Sequence, residues 1–190
     1  MELPVSESLI AEKVYLDGEL ISGIKHEYVA GQVYAMSGGS LNHQTVATNF
    51  LCQAGNQLVG KPCRPTNSDF KVRVKLGEDC AFYYPDATII CTPLAGDAQF
   101  TDDPTVILEV ISPSTRRIDE VQKFRDYITI PSLQVYLLAE SDLARVTVFR
   151  RVGESFVREV IGGIDAVLDL SEVSLSIPFA ELYRDVELKG

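Results

Sequence analysis

Three side chains in this sequence have types and spacing that could do chemistry together. They are Asp86 in "YYPDATIIC", Glu109 in "TVILEVISPST" and Lys123 in "IDEVQKFRDYITI". Glu109 makes the strongest demand, because Val106, Ile107, Leu108, Val110 and Ile111 around it read as a strand buried on both faces. Taking an unpaired carboxylate out of water costs several kcal/mol even after relaxation. A cation, a basic side chain or a retained proton must therefore meet it. The stretch "TPLAGDAQFTDDP" joins the two strands and is compatible with an antiparallel pair. Placing Cys91 opposite Pro104 sets Asp86 opposite Glu109, on one face, with Cβ atoms ~4.5–5.5 Å apart. Two carboxylates that close repel unless a cation or a shared proton sits between them. An oxygen-only donor set of this kind suits Mg²⁺, which takes one or two carboxylates and keeps several waters, with Mn²⁺ as an alternative ion.

Lys123 lies at the margin of a helical packing face formed by Val121, Phe124, Tyr127 and Ile128. From there its ammonium could orient a nucleophilic water or offset charge building on a phosphate. Each residue also has a plainer reading. Glu109 and Lys123 could form a buried structural salt bridge, Asp86 could serve an Asx-turn after Pro85, and Lys123 could be a solvated helix lysine. His43 shares a stripe with Ala47, Phe50 and Ala54; it reads first as a core or capping residue and second as a site residue. Arg116, Arg117 and Arg125 flank the "SPST" turn and the following helix, where they could hold backbone phosphates or simply be exposed. Lys71, Arg73 and Lys75 read as a solvated strand face.

The elements that must position these groups follow from periodicity. Residues 1–26 form an N-terminal arm with a weak helix in "SESLIAEKVYL". Strand pieces from Glu27 to Val29 and from Gln32 to Met36 flank Gly31 as a hairpin. Ser40 is placed to cap a helix running from Leu41 to Val59, which Gly60 ends. "FKVRVKL" alternates as a half-exposed strand, the two acid-bearing strands follow, and a helix spans about 118–130. "QVYLLAE", "RVTVFRR" and "SFVREVI" are further strands, and "IPFAELYRDV" closes with a short helix. The order describes a mixed α/β (α+β) fold in one domain, with a core over 27–151 and C-terminal strands and a helix over 152–190.

Composition bounds the function. The chain has 190 residues, 46% hydrophobic and 23% charged, with a net charge of −10. This is a globular composition, without the ~18-residue apolar run of a membrane span. The acidic, polar start "MELPVSESLIAEK" does not read as a secretory signal. Four cysteines without a C-x-x-C pair argue against a zinc knuckle and read as four reduced thiols in a cytoplasmic protein. The acidic balance disfavours a protein that coats nucleic acid, though not an enzyme with a local basic strip around an acidic metal site. A glycosidase built on two carboxylates has little support, since Trp is absent and aromatics make up only 8%.

The runs "YPDATII", "VILEVISPST" and "QKFRDYITIPSLQVYLL" closely resemble the Uma-type restriction endonucleases, members of the PD-(D/E)XK nuclease superfamily, over about Glu27 to Arg151. The resemblance implies a restriction-endonuclease-like αβββαβ core, with a central mixed sheet flanked by helices, and Mg²⁺-dependent phosphodiester hydrolysis. It places metal ligands at Asp86 and Glu109 with the Val110 carbonyl. Ile111 stands where the superfamily's lysine is usual, and the resemblance moves that role to Lys123. It also gives Glu27 the family's first acidic position, assisting a second ion or positioning the first. The expected activity is an endonuclease acting on nucleic acid, DNA before RNA, with no membrane partner and with a homodimer left open. The competing expectation is a non-catalytic interaction module that keeps the nuclease scaffold, which the net charge favours and the intact acid–acid–lysine set disfavours.

Overall fold

The chain lays its apolar runs into two main sheets that share a core, in a computed structural model describing residues 9–112 and 116–189. Helix α1 (Glu12–Glu19) precedes a hairpin of β1 (His26–Val29) and β2 (Gln32–Ala35). Its two turn residues, Ala30 and Gly31, both have positive φ (46° and 87°), the conformation that matches the right-handed twist of paired strands. Helix α2 (Leu41–Gln57) starts where the Ser40 hydroxyl accepts the His43 backbone N–H at 3.3 Å. Strands β3 (Arg64–Asn67), β4 (Lys71–Leu76), β5 (Asp79–Tyr83), β6 (Ala87–Ile90), β7 (Phe100–Thr101) and β8 (Val106–Ile111) follow. A π-helical turn (Ile118–Lys123) runs into α3 (Phe124–Tyr127). The chain ends with β9 (Val135–Glu140), β10 (Arg145–Val152), β11 (Ser155–Gly162), β12 (Val167–Leu170), β13 (Leu175–Pro178) and α4 (Phe179–Leu182).

The larger sheet has the order β11-β10-β9-β8-β6-β3 and is mixed: β8 and β9 are parallel, the other neighbours antiparallel. The smaller runs β2-β1-β5-β4-β7, and β12 pairs with β13. Strand β8 is sealed on both faces, and its alternation sorts its side chains. Val106, Leu108 and Val110 join Val46, Phe50 and Ala54 of α2 in one core. Ile107 and Ile111 join Val72, Val74 and Tyr83 of the smaller sheet, together with Tyr127, in the other. Each such side chain taken fully out of water contributes about 1.5–3 kcal/mol. The double burial expected of β8 is what the fold requires of a strand between two packed layers.

Several expectations need correction. Cys63 and Cys91 form a disulfide, so the chain does not carry four free thiols, and the support that reduced thiols lent to a cytoplasmic setting falls. The two lie opposite each other because β3 pairs with β6 through Arg64↔Ile90, and cysteine spacing carries no information about that pairing. Strand β3 itself escaped the periodicity because it is an edge strand containing Pro65, where proline costs no ladder bond. Lys71 and Arg73 are not a solvated face. Lys71 is buried, and Arg73 is held by Glu12 and Asp102. Val121 is exposed rather than packed, because the π-turn widens the helix by a residue. Pro113, Ser114 and Thr115 of the "SPST" turn lie outside the described residues.

Candidate active site

Strands β6 and β8 pair through Ala87↔Leu108 and Thr88↔Ile107, so continuing the ladder by one residue sets Asp86 opposite Glu109. Glu109 alternates onto the Ile107/Ile111 face, only 4% exposed. Two donors meet it there, the Lys123 ammonium at 3.1 Å and the Tyr127 hydroxyl at 3.2 Å. Lys123, itself buried, also lies 2.9 Å from Glu27 Oε1 and 3.5 Å from Asp119 Oδ1. The contact to Glu27 is an ion pair without hydrogen-bond alignment, since that oxygen lacks a hydrogen-bond partner. One ammonium thus faces three carboxylates.

The helical segment achieves this through its irregular turn. Asp119, Lys123 and Tyr127 are spaced four apart, and all three are buried while Val121 turns outward. An α-helix drifts about 40° over four residues, since it turns once in 3.6. The wider π-turn brings residues at this spacing closer to one line, and such turns are frequent at functional sites. Behind them, the Tyr83 hydroxyl donates to Asp126 at 2.6 Å.

Asp86 is fixed from two sides. Its Oδ2 accepts the Val110 backbone N–H at 2.7 Å, and its Oδ1 lies 2.8 Å from His43 Nε2. The capped start of α2 delivers that imidazole. A carboxylate oxygen keeps spare lone pairs after one such bond, so both oxygens can still take a further partner. Asp86, Glu109, Val110, Asp119, Lys123 and His43 line one cleft of about 570 Å³.

The charges in this cleft do not balance. Burial pushes the Glu109 carboxyl well above the usual carboxylate range; Lys123 opposes this, but Asp119, Asp86 and Glu27 reinforce it. Burial pulls the Lys123 ammonium down, yet Glu109, Glu27 and Asp119 outweigh it and hold the lysine charged. Burial also pulls His43 down, and the hydrogen bond to Asp86 with the charges of Asp86 and Asp119 raises it overall. Burial and the neighbouring acids together outweigh the single lysine at Glu109, whose carboxyl is held above the usual range. Among the described residues no group of three or more His, Cys, Asp or Glu side chains is arranged to hold a metal ion. A cation would instead have to be shared between the opposed pair and backbone oxygen.

The three arginines lie outside this cleft's lining. Arg116 is bidentate to Glu140, at 3.0 and 2.6 Å, while Arg117 and Arg125 are exposed. Asp119 and Tyr127 were not singled out from sequence. The signal available for them was their four-residue spacing from Lys123, which an α-helical reading blurs.

A family model described as "Putative restriction endonuclease" (Uma2) matches residues 15–180. Two Synechocystis proteins described as uncharacterized are similar to this chain. The protein slr1290 is 32% identical over 176 residues, covering 92% of each chain. The protein sll1609 is 29% identical over 161 residues, covering 81% of this chain and 88% of the relative. A crystal structure from Anabaena variabilis, described as a putative nuclease belonging to DUF820, superposes with a TM-score of 0.69 at 16% identity. That match covers 88% of this chain and 96% of the other, and at this identity it establishes the fold alone. Among the described residues no helix is long and apolar enough to cross a membrane.

Proposed function

This chain belongs to the Uma2 family, and we propose that it is a divalent-metal-dependent endonuclease that hydrolyses phosphodiester bonds of nucleic acid, DNA in the first instance. The observation that carries this reading is the opposition of Asp86 and Glu109 across β6 and β8, with Lys123 3.1 Å from Glu109, in a single cleft. The donor set fits Mg²⁺ or Mn²⁺. It offers hard oxygens from Asp86, Glu109 and the Val110 carbonyl, and an excess of buried acid that a divalent ion would relieve. When bound, such an ion supplies Lewis acidity at the phosphate and makes water a better nucleophile near neutral pH.

The protein's own groups do the rest. Val110 N–H and His43 hold Asp86 in one orientation, so its carboxylate is already in place when substrate arrives. Tyr127 and Lys123 do the same for Glu109. With a cation shared by Asp86 and Glu109, the Lys123 ammonium would be available to hold the attacking water or a phosphoryl oxygen. Glu27, 2.9 Å from the Lys123 ammonium, limits how far that group can move and would assist in positioning the ion.

The test is nicking of supercoiled plasmid by the full chain with Mn²⁺ or Mg²⁺, with Asp86→Asn as control. Cleavage that requires metal and Asp86 supports the reading. DNA binding without cleavage at any metal concentration would replace it with an interaction module on a nuclease scaffold.

A further inference from the structure

We infer that Lys25 and Tyr84, with Lys71 packed against the same ring, form a second anion seat in the same cleft. It would hold the phosphate next to the scissile one on a single nucleic-acid strand. The inference rests on the nuclease reading for its substrate, and on separate residues for its geometry.

Lys25, Ser68 and Tyr84 line the cleft that also holds Asp86 and Glu109. Two ammonium groups flank the Tyr84 ring, with Lys25 Nζ 5.7 Å and Lys71 Nζ 5.2 Å from its centroid. The Lys71 ammonium is also 3.3 Å from the Tyr84 hydroxyl. Lys71 is only 6% exposed, and among the described residues it has no carboxylate at ion-pair distance. Burial pulls its pKa down, with Glu19 partly opposing. A buried cation in this state lacks the partner that would offset its desolvation, and an anion on the Tyr84 wall would supply one. The wall is held rigidly, since Tyr84 donates to Glu19 at 2.8 Å and Glu19 also takes the His26 backbone N–H at 3.2 Å.

Lys25 is poised to exchange partners. It donates to the Ser68 carbonyl at 2.8 Å and pairs with Asp69 at 2.6 Å. Asp69 is 69% exposed, and exposed pairs of this kind contribute little, so a phosphate can displace it. Tyr84 and Asp86 are two residues apart, which limits their Cα atoms to about 7 Å. That is comparable with the step between neighbouring phosphates on one strand. The cleft therefore offers acids that can take a cation together with Lys25 and Tyr84, which can take an anion. A polynucleotide carrying a divalent ion on one phosphate would satisfy both with one chain, and a free phosphate would satisfy only one. This local basic seat also reconciles a nucleic-acid substrate with a net charge of −10.

The test measures binding of a labelled DNA oligonucleotide by the full chain in EDTA across a KCl series. Wild type is compared with Lys25→Met, Lys71→Met and the exposed control Lys13→Met. Metal-dependent cleavage and competition by inorganic phosphate are measured in parallel. Lys25→Met and Lys71→Met are each expected to weaken binding on the order of tenfold and flatten the log–log salt slope by about 0.7–0.9, with Lys13→Met unchanged. If Lys71→Met does not fold, the half-buried Lys25 substitution decides alone. Wild-type affinity and slope in the lysine variants of an enzyme that cleaves would overturn the seat and leave the nuclease reading standing. Lysine-dependent binding without cleavage would support the seat and overturn the nuclease reading. Inorganic phosphate that binds with the same lysine dependence, when the oligonucleotide does not bind, would overturn the polynucleotide assignment.

Discussion

Two ion clusters in this molecule use similar residues for different ends. Around Arg73, the guanidinium makes two 2.8 Å bonds to Asp102 and one to Glu12, while Lys75 lies 3.6 Å from Asp102. Two cations meet two acids. The Arg73 hydrogen bond outweighs burial and holds the Asp102 carboxyl below its ordinary value, so the cluster is complete as it stands. Around Lys123, three carboxylates crowd one ammonium, Asp86 adds its charge from the neighbouring strand, and burial with these acids pushes the Glu109 carboxyl up. The first cluster joins α1 and the loop after β7 to β4, at the surface. The second is largely buried in the wall of the cleft and short of positive charge. A balanced pair holds a fold together; an unbalanced buried one is prepared for something to bind.

The comparison breaks most visibly in activity. Asp86→Asn or Glu109→Gln is expected to lower metal-dependent plasmid cleavage by about a thousandfold, the upper range for removing one preorganised electrostatic contact. Asp102→Asn should leave cleavage within about twofold, because its charge serves only the fold. Equal losses in both clusters would erase the distinction.

Stability gives the next largest effect. Lys123→Met strands the buried carboxylates and should cost about 3–5 kcal/mol in metal-free urea melts, partly recovered by Mn²⁺. Arg73→Met, in a more exposed cluster, should cost about 1 kcal/mol with no recovery. A third expectation concerns Glu109→Gln, which keeps shape but removes one of the excess acids. Its metal-free stability should stay within about 1 kcal/mol of wild type, since Lys123 retains Glu27 and Asp119. The wild-type gain of about 2.7 kcal/mol at a hundred times the metal's dissociation constant should vanish. A strongly destabilised Glu109→Gln with no metal response in wild type would instead make the second cluster structural, like the first.

The smallest effect is in pH dependence, where the two clusters differ in sign. Glu109 has a raised folded-state pKa, so its contribution to stability is fully present below the unfolded value of about 4.3 and is lost as pH rises through the folded value. The stability of wild type relative to Glu109→Gln should therefore fall with rising pH in the absence of metal. Asp102 has a depressed pKa, so its contribution is present above about 3.9 and is lost as pH falls through the folded value. Wild type relative to Asp102→Asn should lose stability towards acid. A metal ion taken up at Glu109 would compete with protons for its raised carboxyl, so affinity should strengthen with pH and proton release should accompany titration. Urea melts across pH and a proton-release titration check both signs.

Much of the scaffold was legible because local pattern and global role coincide. The apolar run around Glu109 read as a strand covered twice, and the register assumed across the joining stretch is the one that β6 and β8 adopt. Ser40 and the stripe through Val46, Phe50 and Ala54 defined α2 by capping and period alone. Asp86, Glu109 and Lys123 stood out because each is a charge in or beside an apolar pattern, which demands a partner.

What the sequence by itself determined, then, is which backbone would be strand or helix and that buried charge must be answered somewhere. The partners themselves were decided by tertiary structure. Asp119 and Tyr127 join Glu109 only because a π-turn changes the helical phase, Lys71 is buried only because β4 pairs with β5 beside Tyr84, and Cys63 meets Cys91 only because an edge strand docks on β6. Local periodicity reports the few residues on either side of a position. Charge balance, burial and cross-strand contact depend on elements far apart in the chain, and those are settled only when the sheets and helices pack.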